Sequence, residues 1–507
     1  MGRSLTHANP CHPRASDPMN AGNPVSDARP APVAVVALLL PLAVFLPLSI
    51  NVHVSPELYW YDQQRIGQVA VLVAMAALVA TRLARSGPSV TFGRPAPPVL
   101  LGGFLFLALG GLSAIHAAQV PDAFLEWSRF ALIGLLAWTV SSCARSFPGP
   151  VSLALLASLA LGCLWFAGAR LGPYAAILAL HLPLSATDFL DGFDNPRFFG
   201  QLQTMTLPLL MVPLILPRVS MRWRVAASAG LVGWWMLAWL SGTRGTFYAL
   251  LATAVAAALV FGPRGRAYAM ASAGFAAAGA LGYLFFFVSL PGWLGMSMEG
   301  ATFERSAFHL SSREALWWLA IEYIVRHPLL GVGPMHFAAA GSAIGAHPHS
   351  LPLQIAAEWG LPAASLVLVG IATAVVKRAS SLRRLLLDGT GDADAQLDML
   401  LLIAITAALI QGLVDGVLVV PYTETVLAML VGLAWGRALR GQAPVPLGTS
   451  VRTCVVLGLC VCASVLTAGT WTQAQQLAER ISVQEARPGL LLPRFWSAGW
   501  IGPAARQ

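Results

Sequence analysis

Apolar runs long enough to cross a bilayer recur along nearly the whole chain, and each has to be a helix. A hydrocarbon core of about 30 Å takes about 20 helical residues, and lipid offers no partner to a backbone amide. Strand pairing would have to close a barrel, and the alternation of period two that a barrel needs is absent. Spans are expected at roughly 32–52, 66–81, 98–117, 124–143, 151–169, 200–217, 225–241, 245–262, 267–290, 353–376, 397–418, 423–437 and 451–470, about thirteen in all. The expected fold is all-α and polytopic. Composition agrees, with 57% hydrophobic and only 10% charged residues, far from the balance of a water-soluble domain.

The net charge of +9 sits in short loops between spans, so it reports topology and implies no nucleic-acid partner. Basic loops alternate: Arg82, Arg85 and Arg94; Arg145; Arg218, Arg222 and Arg224; Arg264 and Arg266; Lys377, Arg378, Arg383 and Arg384; Arg437 and Arg440. The positive-inside rule makes these loops cytoplasmic, which puts the N-terminus inside and, with an odd span count, the C-terminus outside. Residues 1–31 are polar and lack the apolar core of a signal peptide; a disordered cytoplasmic leader is expected, and Met19 is an alternative start. The six cysteines have no metal-ligand spacing and are expected as small buried residues.

The opposite loops carry mostly acids, which makes external Arg170, Arg197, Arg244, Arg305, Arg313 and Arg326 stand out. Taken singly, each fits an arginine that snorkels to headgroups or pairs with a nearby acid. The longest external segment, about 291–350, exceeds a plain connection. Within it "SSREALWWLAIEYIVRHP" reads as an amphipathic helix lying on the membrane surface, opened by a capping box of Ser311 and Glu314, with Arg313 in its first turn. "GVGP" follows, a turn that sends the chain back toward the bilayer.

His349 then stands directly before a helix start, with Ser350 as cap and Pro352 in the first turn. A histidine there can accept a hydroxyl proton, and the helix N-terminus favours an anion. Glu358 lies about two turns further along the same helix, where an acid is costly unless paired. His347, His349, His309, His327 and His336 admit a metal-binding alternative, but no acid or cysteine stands at a recognisable ligand spacing. Spacing alone equally fits interfacial histidines with no chemical task. Arg244, in the hairpin "WLSGTRGTFYAL", has the guanidinium fork that suits phosphate oxygens. "GFDNPRFFGQLQT" offers Asp194, Arg197 and Gln201, and Asp415 is a further acid at membrane depth.

"SGTRG", "SREALWWLAIEYIVRHPLLGVGPMHF" and "HSLPLQIAAEWGLPAA", in that order, resemble the signatures of the O-antigen ligase superfamily, which takes in O-antigen ligases, O-antigen polymerases and protein O-oligosaccharyltransferases. The resemblance covers roughly residues 190–440, and the ordered set is more specific than any one motif. It implies a bacterial inner-membrane glycosyltransferase that moves a glycan from undecaprenyl diphosphate to a hydroxyl at the periplasmic face, without cofactor or metal. Carried over by position, His349 matches the histidine that activates the acceptor, Arg244 and Arg313 match the arginines that hold the diphosphate, and Glu358 matches the acid of the histidine-to-glutamate helix. Arg197 and Asp415 are supporting candidates. Ser350 stands where asparagine often follows the histidine, and Ala363 where glycine often follows "GLP"; neither change removes a titratable group.

The expected organisation is a leader at 1–31, N-terminal spans at 32–190, a ligase-like core at 191–440 with its periplasmic loop at 291–350, a final span at 441–470 and a short periplasmic tail at 471–507. That short tail favours lipid A-core as the acceptor over a Ser or Thr of a protein such as a pilin; a polymerase is a third enzyme reading. A lipid-linked glycan transporter is the alternative from another class, but transporters usually place charge at mid-membrane and often show internal repeats.

Overall fold

The computed structural model describes residues 32–85, 95–215, 219–296, 298–299, 313–339, 345–388, 393–442, 444–485 and 492–501. The leader, Ser311, Arg305 and His309 therefore lie outside the described residues.

The chain is a bundle of helices: α1 (Pro32–Leu48), α2 (Trp60–Arg85), α3 (Pro97–Ile115), α4 (Val120–Ser146), α5 (Pro148–Ala169), α6 (Leu171–Leu180), α7 (Pro196–Leu210), α8 (Val212–Ile215), α9 (Met221–Ser241), α10 (Arg244–Val260), α11 (Gly262–Tyr283), α12 (Leu290–Trp293), α13 (Arg313–Arg326), α14 (Leu351–Trp359), α15 (Leu361–Leu387), α16 (Ala393–Gln411), α17 (Pro421–Ala438), α18 (Thr449–Gln475) and α19 (Leu477–Glu485). Among the described residues, nine helical stretches are long and apolar enough to cross a membrane, with α10 and Val35–Leu48 as shorter apolar helices. Each expected span overlaps a helix, but nine stretches rather than about thirteen combine the length and apolarity of a crossing among the described residues. Two short strands, Leu184–Ser185 and Met298–Glu299, pair in parallel and tie the chain after α12 to the chain before α7.

Two boundaries differ from expectation. The run at 353–376 is two helices, because Gly360 at φ 87° ends α14 and starts α15 in another direction. Apolarity is continuous across that break, so hydropathy cannot register it. The run at 397–418 is helical only to Gln411, and Asp415 lies in the irregular stretch between α16 and α17 rather than on a membrane helix.

Several charged side chains inside the bundle are paired, as a low-dielectric surrounding demands. Between α4 and α17, Arg129 bridges Glu126 at 2.7 Å and Glu424, and Arg65 of α2 lies 3.5 Å from Glu424. Gly432 and Gly436 let α17 pack tightly on α4: a Cβ on Gly432 would come within 2.9 Å of Val140. At the arginine-rich end, Asp398 takes Arg378 at 2.6 Å and also Arg437, while Asp394 takes Arg437 at 2.8 Å. At the other end converge the N-termini of α2, α4, α7, α10, α14 and α17 and the C-termini of α9, α16 and α18, and this is where the candidate residues gather.

The helix α13 packs one of its faces on protein. Leu316 and Ala320 are buried against Phe337 and Ala357, so one face of α13 covers α14. Ile321 and Val325 of the same helix are exposed.

Candidate active site

The hairpin between α9 and α10 is as tight as its glycines allow. Gly242, at φ 56°, ends α9, and Arg244 is already the first residue of α10. Thr243 donates to the Pro196 carbonyl at 3.0 Å and Thr246 to the Gly200 carbonyl at 2.8 Å, which joins this hairpin to the start of α7. Gly200 permits the approach, since a Cβ there would meet Thr243 at 2.6 Å. At the start of α7 the Asn195 side chain accepts the Arg197 amide at 2.9 Å, so Arg197 and Arg244 both stand in the first turn of helices pinned to each other.

Arg313, the first described residue of α13, is half-buried and feels the charges of Arg197, Arg244 and Asp415. Burial lowers its pKa against the pull of Asp415, and the two neighbouring arginines lower it further. Its Nε has no hydrogen-bond partner among the described residues. Three guanidinium groups and one carboxylate within electrostatic reach of Arg313 form a net cationic cluster suited to an anion of more than one charge.

His349 completes the cluster. Its backbone is left-handed, φ 50°, uncommon for a residue with a β-carbon. Several contacts hold it there. The His349 amide donates to Nδ1 of His347 at 3.2 Å, Trp317 of α13 donates to the Pro348 carbonyl at 2.9 Å, and the Leu351 amide donates to the Gly412 carbonyl at 2.7 Å. The imidazole Nδ1 faces the Asp415 carboxylate at 3.7 Å, just beyond hydrogen-bond length. Asp415 is itself fixed by the Gly416 amide at 2.9 Å and the Gln411 amide at 3.4 Å. Burial pushes its carboxyl pKa up, but the facing His349 ring, the Gly416 amide and Arg313 outweigh this and hold it below its ordinary value. Asp415 is therefore an anion at neutral pH.

His347 has a different place. It is buried against Gly416, with its ring 4.0 Å from that of His349. Burial first, then the neighbouring His349, Arg494, Arg197 and Arg313, depresses its pKa well below the usual histidine value. It is a neutral acceptor that supports the His349 backbone. Among the described residues no group of three His, Cys, Asp or Glu side chains is placed to hold a metal ion.

Glu358, expected near this cluster, is not part of it. It is buried further along α14, where it accepts the Phe337 amide at 3.2 Å and pairs with Arg494 at 2.5 Å. Its backbone carbonyl takes Ser113 at 2.9 Å and Gly333 at 3.0 Å. Glu358 thus ties α14 to α3, to the "GVGP" turn and to the C-terminal segment. Asp194 likewise serves structure, since its carboxylate caps α2 by accepting the Trp60 and Tyr61 amides at 3.1 and 2.7 Å. Gln201 points into the bundle and accepts from Thr423 at 3.1 Å. Arg170 and Arg326 have partners in Asp191 and Glu322. Arg494 carries no signal in the sequence, since it follows no motif and stands outside every apolar run.

Fold and site together define a polytopic helical membrane protein whose polar chemistry is concentrated at one end of the bundle. Residues 209–368 match the family model described as O-antigen ligase, the same group that the motifs resemble. Arg244, Arg313, His349 and Glu358 lie within the matched stretch, and Arg197 and Asp415 lie outside it. No curated protein matches the chain.

Proposed function

We propose that this protein is a glycosyltransferase of the bacterial inner membrane that moves a glycan from undecaprenyl diphosphate to a hydroxyl on lipid A-core at the periplasmic face. The observation that carries the reading is the single cluster of His349, Asp415, Arg313, Arg197 and Arg244 at the end opposite the arginine-rich loops.

In the reaction the acceptor hydroxyl gives its proton to Nε2 of His349, the ring nitrogen turned away from Asp415, while the hydroxyl oxygen bonds to the anomeric carbon. The bond from that carbon to the diphosphate oxygen breaks, and undecaprenyl diphosphate leaves with the electron pair. Asp415 favours the tautomer with its proton on Nδ1 and stabilises the imidazolium that forms. A separation of 3.7 Å suits this task, because catalytic hydrogen bonds are often long until substrate arrives. Arg244 and Arg313, with Arg197 beside them, neutralise the charge that develops on the diphosphate. Direct displacement inverts the anomeric centre.

The test supplies purified protein with undecaprenyl diphosphate glycan and either lipid A-core or a Ser/Thr-bearing protein. Glycan on lipid A-core alone supports the ligase reading; transfer only to protein replaces the acceptor. In the same assay Arg244→Lys and Arg313→Lys each keep part of the activity and the Ala variants far less, with losses on the order of 10² to 10³-fold for removing one charge-stabilising donor. Normal turnover of an Ala variant removes that arginine from the site.

A further inference from the structure

The segment Leu492–Ile501, beyond the family match, is built into the bundle beside the candidate site. It folds on itself, with the Arg494 amide donating to the Trp496 carbonyl and the Gly499 amide to the Leu492 carbonyl, both at 2.9 Å. Asp62 of α2 receives the Ser497 amide at 2.7 Å and its hydroxyl at 2.6 Å. Arg65 donates to the Phe495 carbonyl at 2.8 Å, and Trp496 to Gln473 of α18 at 2.9 Å.

These contacts deliver one side chain. The Arg494 guanidinium, 1% exposed, meets Glu358 of α14 at 2.5 Å and Glu126 of α4 at 3.1 Å. The oxygen of Gln354, with its amide turned to suit, is a third acceptor, one helical turn before Glu358 on the same face of α14. At the other end of this nine-residue helix, the Leu351 amide is fixed by Gly412 two residues after His349. A helix this short turns as one body. Whatever sets its rotation about its axis also sets where the His349 ring stands relative to Asp415. Arg494 is too enclosed to touch a substrate, yet it holds two successive turns of that helix against α4.

We infer that Arg494 is a positioning residue for transfer: the C-terminal segment supplies a forked cation that fixes α14 against α4 and so aims His349. This rests on His349 being the base.

The test measures kcat and KM for the lipid donor, per folded molecule, in Arg494→Lys, Arg494→Gln, Glu358→Gln and the Arg494→Gln/Glu358→Gln double variant, with His349→Ala alongside. Folding is scored by gel filtration and thermal melting, and Arg494→Lys, which keeps the charge, serves if Arg494→Gln fails to fold. A misplacement of about 1 Å costs on the order of 10²-fold, so kcat falls between tenfold and that limit while KM stays within about twofold. A lysine cannot bridge Glu358, Glu126 and Gln354 as a fork does, so Arg494→Lys loses rate despite its charge. Because the two residues act through one contact, the double variant loses no more than the worse single one.

Wild-type kcat per folded molecule in the Arg494 variants, with His349→Ala inactive, overturns this inference alone. A raised KM with unchanged kcat also overturns it, by making Arg494 a substrate ligand, as do losses that simply add in the double variant. Transfer by His349→Ala takes down both this inference and the functional reading.

Discussion

At the scale of residues, the cluster divides its tasks by environment. Asp415 is held as an anion by His349, Gly416 and Arg313 despite its burial, whereas His347, one ring away from His349, is held neutral by that same burial and by the surrounding cations. Removing the Asp415 charge with Asp415→Asn leaves the fold intact but frees the tautomer and aim of His349. We expect kcat to fall on the order of 10²-fold with donor KM little changed, and a variant that turns over normally would strip Asp415 of this role. His347 has a consequence for stability. Its pKa is lower in the folded protein than in the unfolded chain, where it takes a proton near the ordinary value of about 6.5. Above that value both states are neutral there and the protein keeps its full stability. As pH falls below it, the unfolded chain gains a proton that the folded protein refuses, so stability declines toward the depressed folded value, by at most about 1.4 kcal/mol per pH unit for one proton. Thermal melts in detergent between pH 7 and pH 5 should show a shallower decline for His347→Asn than for the wild type; equal slopes would assign the acid sensitivity elsewhere.

At the scale of elements, the site depends on two short devices. The first is the turn at Gly331 and Gly333, both at positive φ, whose neighbouring amides Val332 and Gly333 donate to the Ala357 and Glu358 carbonyls at 2.9 and 3.0 Å and so cap the end of α14. A Cβ on Gly331 would collide with the Glu358 backbone. Gly331→Ala therefore strains the turn by on the order of 1–3 kcal/mol and displaces α14, lowering both the melting temperature and the rate of transfer. An unchanged melting temperature would show that α14 does not depend on this turn. Its glycines mark the turn in the sequence itself. The second device is the break at Gly360, which the sequence hides because Trp359, Leu361 and the residues beyond are as apolar as any single span. For the same reason α13 reads as a surface helix. Its stripe of Leu316 and Ala320 has the right period, but only the position of α14 decides that the stripe covers protein.

At the scale of the whole molecule, apolar length finds the helices and the charge of the loops separates the two ends of the bundle, because crossing a bilayer imposes both. Arg244, Arg313, His349 and Asp415 come from segments far apart in sequence, and their spacing does not reveal that α7, α10, α13, α14 and the stretch after α16 meet. Motif order suggests the grouping, and the geometry supplies what motifs omit: the Asp415 partnership, the withdrawal of Glu358 into a structural pair and the arrival of Arg494 from the C-terminal segment. Such long-range polar pairing leaves no periodic trace. We propose that this cluster activates a hydroxyl with His349 to displace a lipid diphosphate. Transfer of glycan from undecaprenyl diphosphate to lipid A-core by purified wild type and His349→Ala, at matched amounts of folded protein, tests it most directly. The variant should lose transfer by on the order of 10² to 10⁴-fold; undiminished transfer by His349→Ala would mean that His349 is not the base.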